Sequence, residues 1–577
     1  MSPVWPNPPR PQAFLPLVVL LVVLLPWTHA QFHARFTPEA AERGLAALAL
    51  VEGRRAETAP LPPMPNWSNA FFLALPFEDK TLALSFASCL FGTLACLLVY
   101  RLGTLWFSDA TGLLACALLA INRAFLNEVQ TGGPGTIILF FALAALVCFA
   151  EHLAREDEPL SRWTFLGGLS IAGLLLSGGM LPLWLAVLGA AIVLFRHRGP
   201  RERGVARLLR TLADATSRAG MLTLLVGFGL AAPWLIGSGF HWGPHAPWAE
   251  PAYASQRWGL LDAAAAMPAT IVCAAFGLYL TLRECLSSGE GAERDALPAI
   301  WTLLAAAALA FTQPTAGALL VLLVPLHFLA LRTLFMALDR KLSDLAALWL
   351  FVGSFLAFAV LQQPAAKSLP IPSTWRTTWV DADWVRLRLA VDAALLAALV
   401  AAWIYRLSAG DRYRRAFLGG GALLILALAC VPGAEQLRGS PRSDDPWLRV
   451  RAQMRQTTRE GAPDAVIFVA GPDRALGVDP RLRFLASTVA PRVKQTIVAD
   501  ARSLEQVLLG EVASPLIMVT DPSQRLGRAL LVARREDSLL IAERYDSEQA
   551  IIYAAARRRE ESAPEPRRPP VLGSARS

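Results

Sequence analysis

Residues Leu90 to Leu126 read LFGTLACLLVYRLGTLWFSDATGLLACALLAINRAFL. Two apolar runs, Leu82 to Arg101 and Thr111 to Phe125, stand either side of a short polar turn at Ser108 and Asp109. Each run is close to the length that crosses about 30 Å of hydrocarbon. So brief a connection makes them an antiparallel helical hairpin, the unit from which a polytopic membrane protein is built.

Working outward, runs of the same kind recur from Phe14 to Val431: Thr136 to Phe149, Phe165 to Leu176, Leu181 to Phe195, Met221 to Ile236, Leu260 to Leu282, Ala299 to Phe311, Ala316 to Leu334, Leu345 to Leu361, Leu389 to Ile404 and Phe417 to Val431. With the first run from Phe14, they amount to about thirteen spans. Composition agrees: 55% of the 577 residues are hydrophobic and 17% charged, which excludes an ordinary water-soluble chain. The seven cysteines lie within or beside these runs without a CxxC pair, so they read as small buried apolar groups and not as zinc ligands or a disulfide framework.

A net charge of +9 could point to nucleic acid, but the basic residues are not pooled. RHRGPRERGVARLLR (Arg196 to Arg210), Arg340 with Lys341, and RLSAGDRYRR (Arg406 to Arg415) occupy alternate loops. The positive-inside rule places those loops and the N-terminus in the cytoplasm, and everything after Val431 outside. No internal repeat and few charges within the spans argue against a transporter.

The outer segment 31–81 is too long for a bare connection and should carry interfacial helices. Thr37, Pro38 and Glu39 form a helix start, with Thr as N-cap, Pro at the first position and an acid in the first turn. Leu45, Leu48 and Val51 continue it as an apolar stripe suited to the membrane interface. PLPPMPNWSNAFFLALPF (Pro60 to Phe77) follows, with prolines expected to rigidify a loop and the aromatic stretch around Trp67 to form a second interfacial helix.

From Asp445 the composition turns mixed and charged. AVIFVAG (Ala465 to Gly471), PLIMVTD (Pro515 to Asp521) and SLLIAERY (Ser538 to Tyr545) read as strands and SLEQVLLGEV (Ser503 to Val512) as a helix. The expected fold is thus an all-α polytopic membrane domain over 1–432, an outward-facing α/β soluble domain over 445–556, and a disordered tail over 557–577. The second domain has no nucleophile motif, Walker loop or metal cluster, so it does not read as an independent enzyme.

The stretch Leu90 to Leu126 resembles the second and third spans of the C-type (GT-C) membrane glycosyltransferases, the superfamily of protein O-mannosyltransferases and aminoarabinose transferases that take sugars from polyprenyl-phosphate carriers. Similar in kind are Pro62-Pro63, TGGPGTIILFF after the third span, LLLSGGMLPLWLAV (Leu174 to Val187) and Pro233-Trp234. The resemblance implies that the run from Phe14 is retained as a first membrane helix, although Thr28-His29-Ala30 is also similar to a signal-peptidase site. It implies transfer of a hexose or pentose from a polyprenyl-phosphate donor to a lipid, glycan or protein on the outer face of a bacterial inner membrane, as part of envelope assembly.

That chemistry needs a carboxylate to deprotonate an acceptor hydroxyl and cations to hold the departing phosphate. Most of the charges that the family uses are missing. Its outer-loop Asp-Glu pair falls on Pro38-Glu39, its Lys before Pro-Pro on Leu61, its early second-span Arg near Ser85, its Arg and Asp ahead of the fourth span near Gln130 and Gly135, and its Thr-Lys-Gly lysine on Gly178. Glu39 therefore becomes the expected catalytic base. Arg35, Arg123, Glu128 and Trp67 are the expected substrate-binding residues, with Glu42 read as a solvated acid of the same first turn.

No cofactor is expected beyond a divalent cation as one substitute for the missing basic groups. The alternative reading of Glu128 and Arg123 is an interfacial pair. His241 and His245 in FHWGPHAPWAEP read as an aromatic interface loop, because Gly243 and Pro244 between them oppose the helix that a His-x3-His metal site needs. The second functional reading is a catalytically inactive relative that binds lipid-linked glycans or supports an envelope assembly complex.

Overall fold

The computed structural model describes residues 15–33, 35–53, 63–154, 162–177, 218–237, 260–287, 293–311, 316–339, 341–361, 411–437, 445–460, 463–469, 479–491, 493–498, 515–519, 539–546 and 551–557. The runs expected at 181–195 and 389–404, the basic loop 196–210, Gly178, His241, His245, the helix at 503–512 and residues 558–577 lie outside them. The chain divides into two compact units, one comprising Met1–Arg35 with Ala46–Arg442 and the other Phe36–Leu45 with Ser443–Ser577.

The first unit is helical. Its elements begin with α1 (Leu15–His33), the C-terminal part of α2 (Pro38–Val51), α3 (Pro63–Ala74), α4 (Lys80–Trp106), α5 (Asp109–Ala120), α6 (Arg123–Thr131), α7 (Gly135–Ala154) and α8 (Arg162–Ser177). They continue with α9 (Arg218–Gly237), α10 (Leu260–Ala266), α11 (Ile271–Ser287), α12 (Glu293–Phe311), α13 (Ala316–Leu338), α14 (Asp344–Leu361) and α15 (Asp411–Leu437). Among the described residues three helices are long and apolar enough to cross a membrane, or up to four with the bent α5–α6 pair, and five shorter apolar helices accompany them.

At the centre stands α13, which packs against α5, α7, α11, α12 and α15. Its residues Leu319 to Val324 and Phe328 to Leu331 are buried on every side, as an all-round apolar helix must be. The hairpin quoted from the sequence is present: Ser108 caps α5 with its hydroxyl on the Thr111 N–H at 3.2 Å. Gly103 and Gly112 bring α4 and α5 into backbone contact, where a Cβ on either residue would strike the opposite chain. Two arginines among the described apolar helices are paired, Arg101 with Glu151 and Arg332 with Glu284, the latter also donating to Thr281.

Two spans read as continuous are broken. The run from Thr111 to Phe125 bends by 53° between α5 and α6. Asn122 causes the break by capping α6, its Oδ1 accepting the Ala124 N–H at 2.9 Å. The run from Leu260 is interrupted at Pro268, which cannot supply a helical N–H. The two breaks meet, since Asn122 Nδ2 donates to the Ala266 carbonyl at the end of α10 at 3.0 Å.

The prolines expected to hold a loop at Pro63 and Pro65 instead form the first turn of α3. At those positions a missing N–H costs nothing and the fixed φ favours the helix. In α1, Thr28 to Ala30 lie inside the helix, with His29 and Ala30 buried.

The second unit contains the first turns of α2, α16 (Pro446–Glu460), α17 (Pro480–Val489) and five strands: β1 (Ala465–Val469), β2 (Lys494–Val498), β3 (Pro515–Val519), β4 (Leu539–Asp546) and β5 (Ile551–Arg557). The strand order is β2-β1-β3-β5-β4. β1 runs parallel to β2 and β3, while β5 is antiparallel to β3 and β4. Val466, Ile467 and Phe468 are fully buried, as both faces of a central parallel strand should be. Sequence patterning shows β1, β3 and β4 but not β5, nor β2, α16 and α17, whose apolar residues are diluted by Arg, Lys or Gln.

Candidate functional site

In the first unit the candidate residues gather around α6. Arg123 opens this helix and is half-buried, and Glu128 lies near its end and is buried. Arg35 reaches the far end, donating its backbone N–H to the Gln130 carbonyl at 3.1 Å while its side chain stays exposed. With a rise of about 1.5 Å per residue, the two arginine-bearing ends are roughly 10 Å apart, so Arg35 and Arg123 attend different points.

Glu128 turns its carboxylate onto the start of α7, where Oε2 accepts the Gly135 N–H at 3.0 Å. An anion there completes orphan amides and meets the positive end of the helix dipole. The turn between α6 and α7 is shaped for it. Gly132 ends α6 with a left-handed φ of 64°, and a Cβ built on either Gly133 or Gly135 would collide with the Glu128 carboxylate. Ser88 of α4 secures the turn from the other side, its hydroxyl donating to the Gly133 carbonyl at 2.7 Å.

Three of the positions where the resembled family carries charge, near Ser85, Gln130 and Gly135, hold uncharged residues. Ser85 is buried. Gln130 is fully buried and accepts from Gln436 Nε2 of α15 at 2.6 Å. Gly135 has no side chain, but the Glu128 carboxylate occupies the space that one would fill. Lys80 is a cation that the sequence reading passed over. Its ammonium donates to the Leu73 and Leu75 carbonyls, at 2.7 Å each, and so closes the C-terminal end of α3. The signal was available as a charged Glu78-Asp79-Lys80 triplet just ahead of an apolar run.

Trp67 lies on the exposed face of α3 with Phe71 one turn on, at 52% and 62% exposure. The opposite face, with Asn66, Asn69, Phe72 and Leu73, is buried. Trp67 is thus available as an apolar contact surface, on a different helix from the α6 group.

Glu39 belongs to the second unit, in the first turn of α2. The expected cap is present: Thr37 Oγ1 accepts the Ala40 N–H at 3.2 Å and its carbonyl the Ala41 N–H at 3.0 Å. Ala40 and Ala41 form the buried side of these turns, leaving Glu39, Glu42 and Arg43 half-buried on the other. Glu42 is therefore less solvated than its sequence position suggested. Burial, and then repulsion from Glu39, raise its pKa above the ordinary 4.5, against the opposing pull of Arg43 and Arg483.

A raised folded-state value means that the folded unit holds this proton more tightly than the unfolded chain. The stability linked to Glu42 is fully present below about pH 4.5 and is lost as pH rises through the folded value. Glu42→Gln, neutral at every pH, is expected to raise protection of this unit at pH 7 and to lose that advantage in acid. Hydrogen exchange of the β1 amides at the two pH values checks it, and an equal gain at both would remove the carboxylate as the cause.

Among the described residues no group of three or more His, Cys, Asp or Glu side chains is placed to hold a metal ion. Cys89, Cys96, Cys116, Cys148, Cys273 and Cys430 are free thiols.

The profile of the dolichyl-phosphate-mannose-protein mannosyltransferases matches residues 61–212. ArnT from Cupriavidus metallidurans bound to undecaprenyl phosphate is similar in structure with a TM-score of 0.56 at 14% identity, covering 94% of this chain and 98% of that one. Its apo crystal structure gives 0.54 at 15% identity over the same shares. The archaeal oligosaccharyltransferase AglB from Archaeoglobus fulgidus, in complex with an inhibitory peptide and a dolichol-phosphate, gives 0.49 at 13% identity over 95% of this chain and 74% of that one. Curated proteins returned no significant sequence match.

Proposed function

We propose that this chain, an integral membrane protein with the fold of the C-type membrane glycosyltransferases, transfers a sugar from a polyprenyl-phosphate donor to a hydroxyl of a lipid, glycan or protein on the outer face of the membrane. The observation that carries the reading is the mannosyltransferase profile over residues 61–212, the region that holds α3 to α8. Fold likeness alone would leave the chemistry open.

In the proposed reaction Glu39 takes the proton of the acceptor hydroxyl as its oxygen bonds to the anomeric carbon. The bond from that carbon to the phosphate oxygen breaks, and its electron pair leaves with the polyprenyl phosphate. Arg35 is the cation assigned to the phosphate, Arg123 and Glu128 to sugar hydroxyls and Trp67 to the sugar face or lipid chain. A divalent cation is a further source of positive charge.

The outward orientation rests on alternation of the basic loops. Cysteines introduced at Glu57 and Ser538 should both react with an impermeant reagent in intact cells, and protection of either would overturn it.

A second reading, a non-catalytic binder of lipid-linked glycans, draws support from the uncharged Ser85, Gln130 and Gly135 and from the internal use of the Glu128 carboxylate. The purified full-length protein, given undecaprenyl-phosphate-linked hexoses and pentoses with an envelope lipid and glycan extract, separates the two. Release of undecaprenyl phosphate with sugar found on an acceptor supports transfer. Saturable binding without release from any donor supports the binder.

A further inference from the structure

Phe36 stands one residue before the N-cap of α2 and three before Glu39. Two groups from the far end of the chain hold it. Its backbone N–H donates to Asp445 Oδ2 at 3.3 Å, and its ring packs on Phe484 with centroids 5.4 Å apart. Phe36 is nearly buried and Phe484 fully so.

Asp445 divides its carboxylate between two helix starts. While Oδ2 holds Phe36, Oδ1 accepts the Trp447 N–H at 2.9 Å and caps α16. Phe484 sits on α17, whose own start is fixed by Asp479 on the Arg481 N–H at 2.8 Å. Arg481 in turn lays its guanidinium over the Trp447 ring at 4.1 Å, tying α17 to α16. The direction in which the chain enters α2 is therefore set by residues of the C-terminal part of the sequence.

We infer that Asp445 and Phe484 are positioning residues for Glu39: the sheet-bearing unit holds the entry to α2 and so fixes where the Glu39 carboxylate points. The inference rests on the reading of Glu39 as base. A hydroxyl must be met within hydrogen-bond reach, and a displacement of about 1 Å can cost on the order of a hundredfold in rate. Glu39 stands four residues past the exposed Arg35, so its direction depends on what holds the chain between them.

Asp445→Asn is the sharpest test, because an amide has one acceptor oxygen and cannot serve both the Trp447 and the Phe36 N–H. Phe484→Leu, which removes the ring but keeps the site apolar, is the second variant. In the full-length protein, hydrogen exchange of the Ala41 to Leu45 amides should quicken by about tenfold or more in either variant. The amides of Val466 to Phe468 should stay as protected as in the parent, which shows that the unit remains folded. Unchanged exchange at Ala41 to Leu45 overturns the anchor.

With undecaprenyl-phosphate-linked sugars, each variant should lower kcat by about ten- to a hundredfold with little change in KM, and should cause no further loss in a Glu39→Gln background. Equal losses in both backgrounds would overturn positioning through Glu39. If the parent protein transfers no sugar at all, the base reading fails, while the exchange measurement still decides whether Asp445 and Phe484 anchor the turn.

Discussion

Glu39→Gln is expected to lower sugar transfer by about a hundred- to ten-thousandfold, the range that a positioned general base supplies, while binding of undecaprenyl phosphate is retained. Gln keeps the size of the side chain and its hydrogen-bonding oxygen but cannot accept a proton at neutral pH. Glu39 is half-buried in the first turn of α2, where an acid's contribution through the helix dipole is about 0.3–1 kcal/mol. The capping contacts of Thr37 do not involve its side chain. A loss confined to kcat would therefore report proton transfer and not folding. Full activity in Glu39→Gln removes this residue from the mechanism. Glu42 then becomes the carboxylate to examine, since it lies one turn on and already holds its proton more tightly than an ordinary glutamate.

Some local signals in the sequence decide the structure directly, where neighbouring residues make a cap or a turn. Ser108-Asp109 turns α4 into α5, and Thr37-Pro38-Glu39 starts α2, because caps and turns are short-range chemistry. The bends at Asn122 and Pro268 were lost, since a hydropathy window averages across one polar residue or one proline inside an apolar run. What holds Phe36 could not be read at all: Asp445 lies 409 residues away, and nothing in either local sequence announces the other. The α6 group stands between these cases. INRAFLNEVQTGGPG displays an N-cap, an acid and a glycine turn, but only the fold shows that the acid belongs to the start of α7 and that the glycines make room for it.

That arrangement predicts a charge exchange. The resemblance puts the family's acid near Gly135, and here the carboxylate of Glu128 fills the space beside that glycine. Gly135→Asp should on its own be strongly disruptive, because it forces a second carboxylate into contact with the first in a buried turn. Glu128→Ala alone leaves the Gly135 amide without that acceptor, at a cost of about 1–3 kcal/mol. The double substitution removes the clash and returns an acid to the same place, now from α7, where it can also sit in the first turn of the helix. Thermal unfolding of the purified full-length variants should show the double variant more stable than Gly135→Asp, with a coupling between the two sites of about 1–3 kcal/mol. Additive losses would mean that the two positions do not compete for one site. If the double variant also keeps sugar transfer that Glu128→Ala has lost, the carboxylate is wanted there for the substrate as well as for the turn. If both variants transfer alike, its task is only to hold α6 against α7.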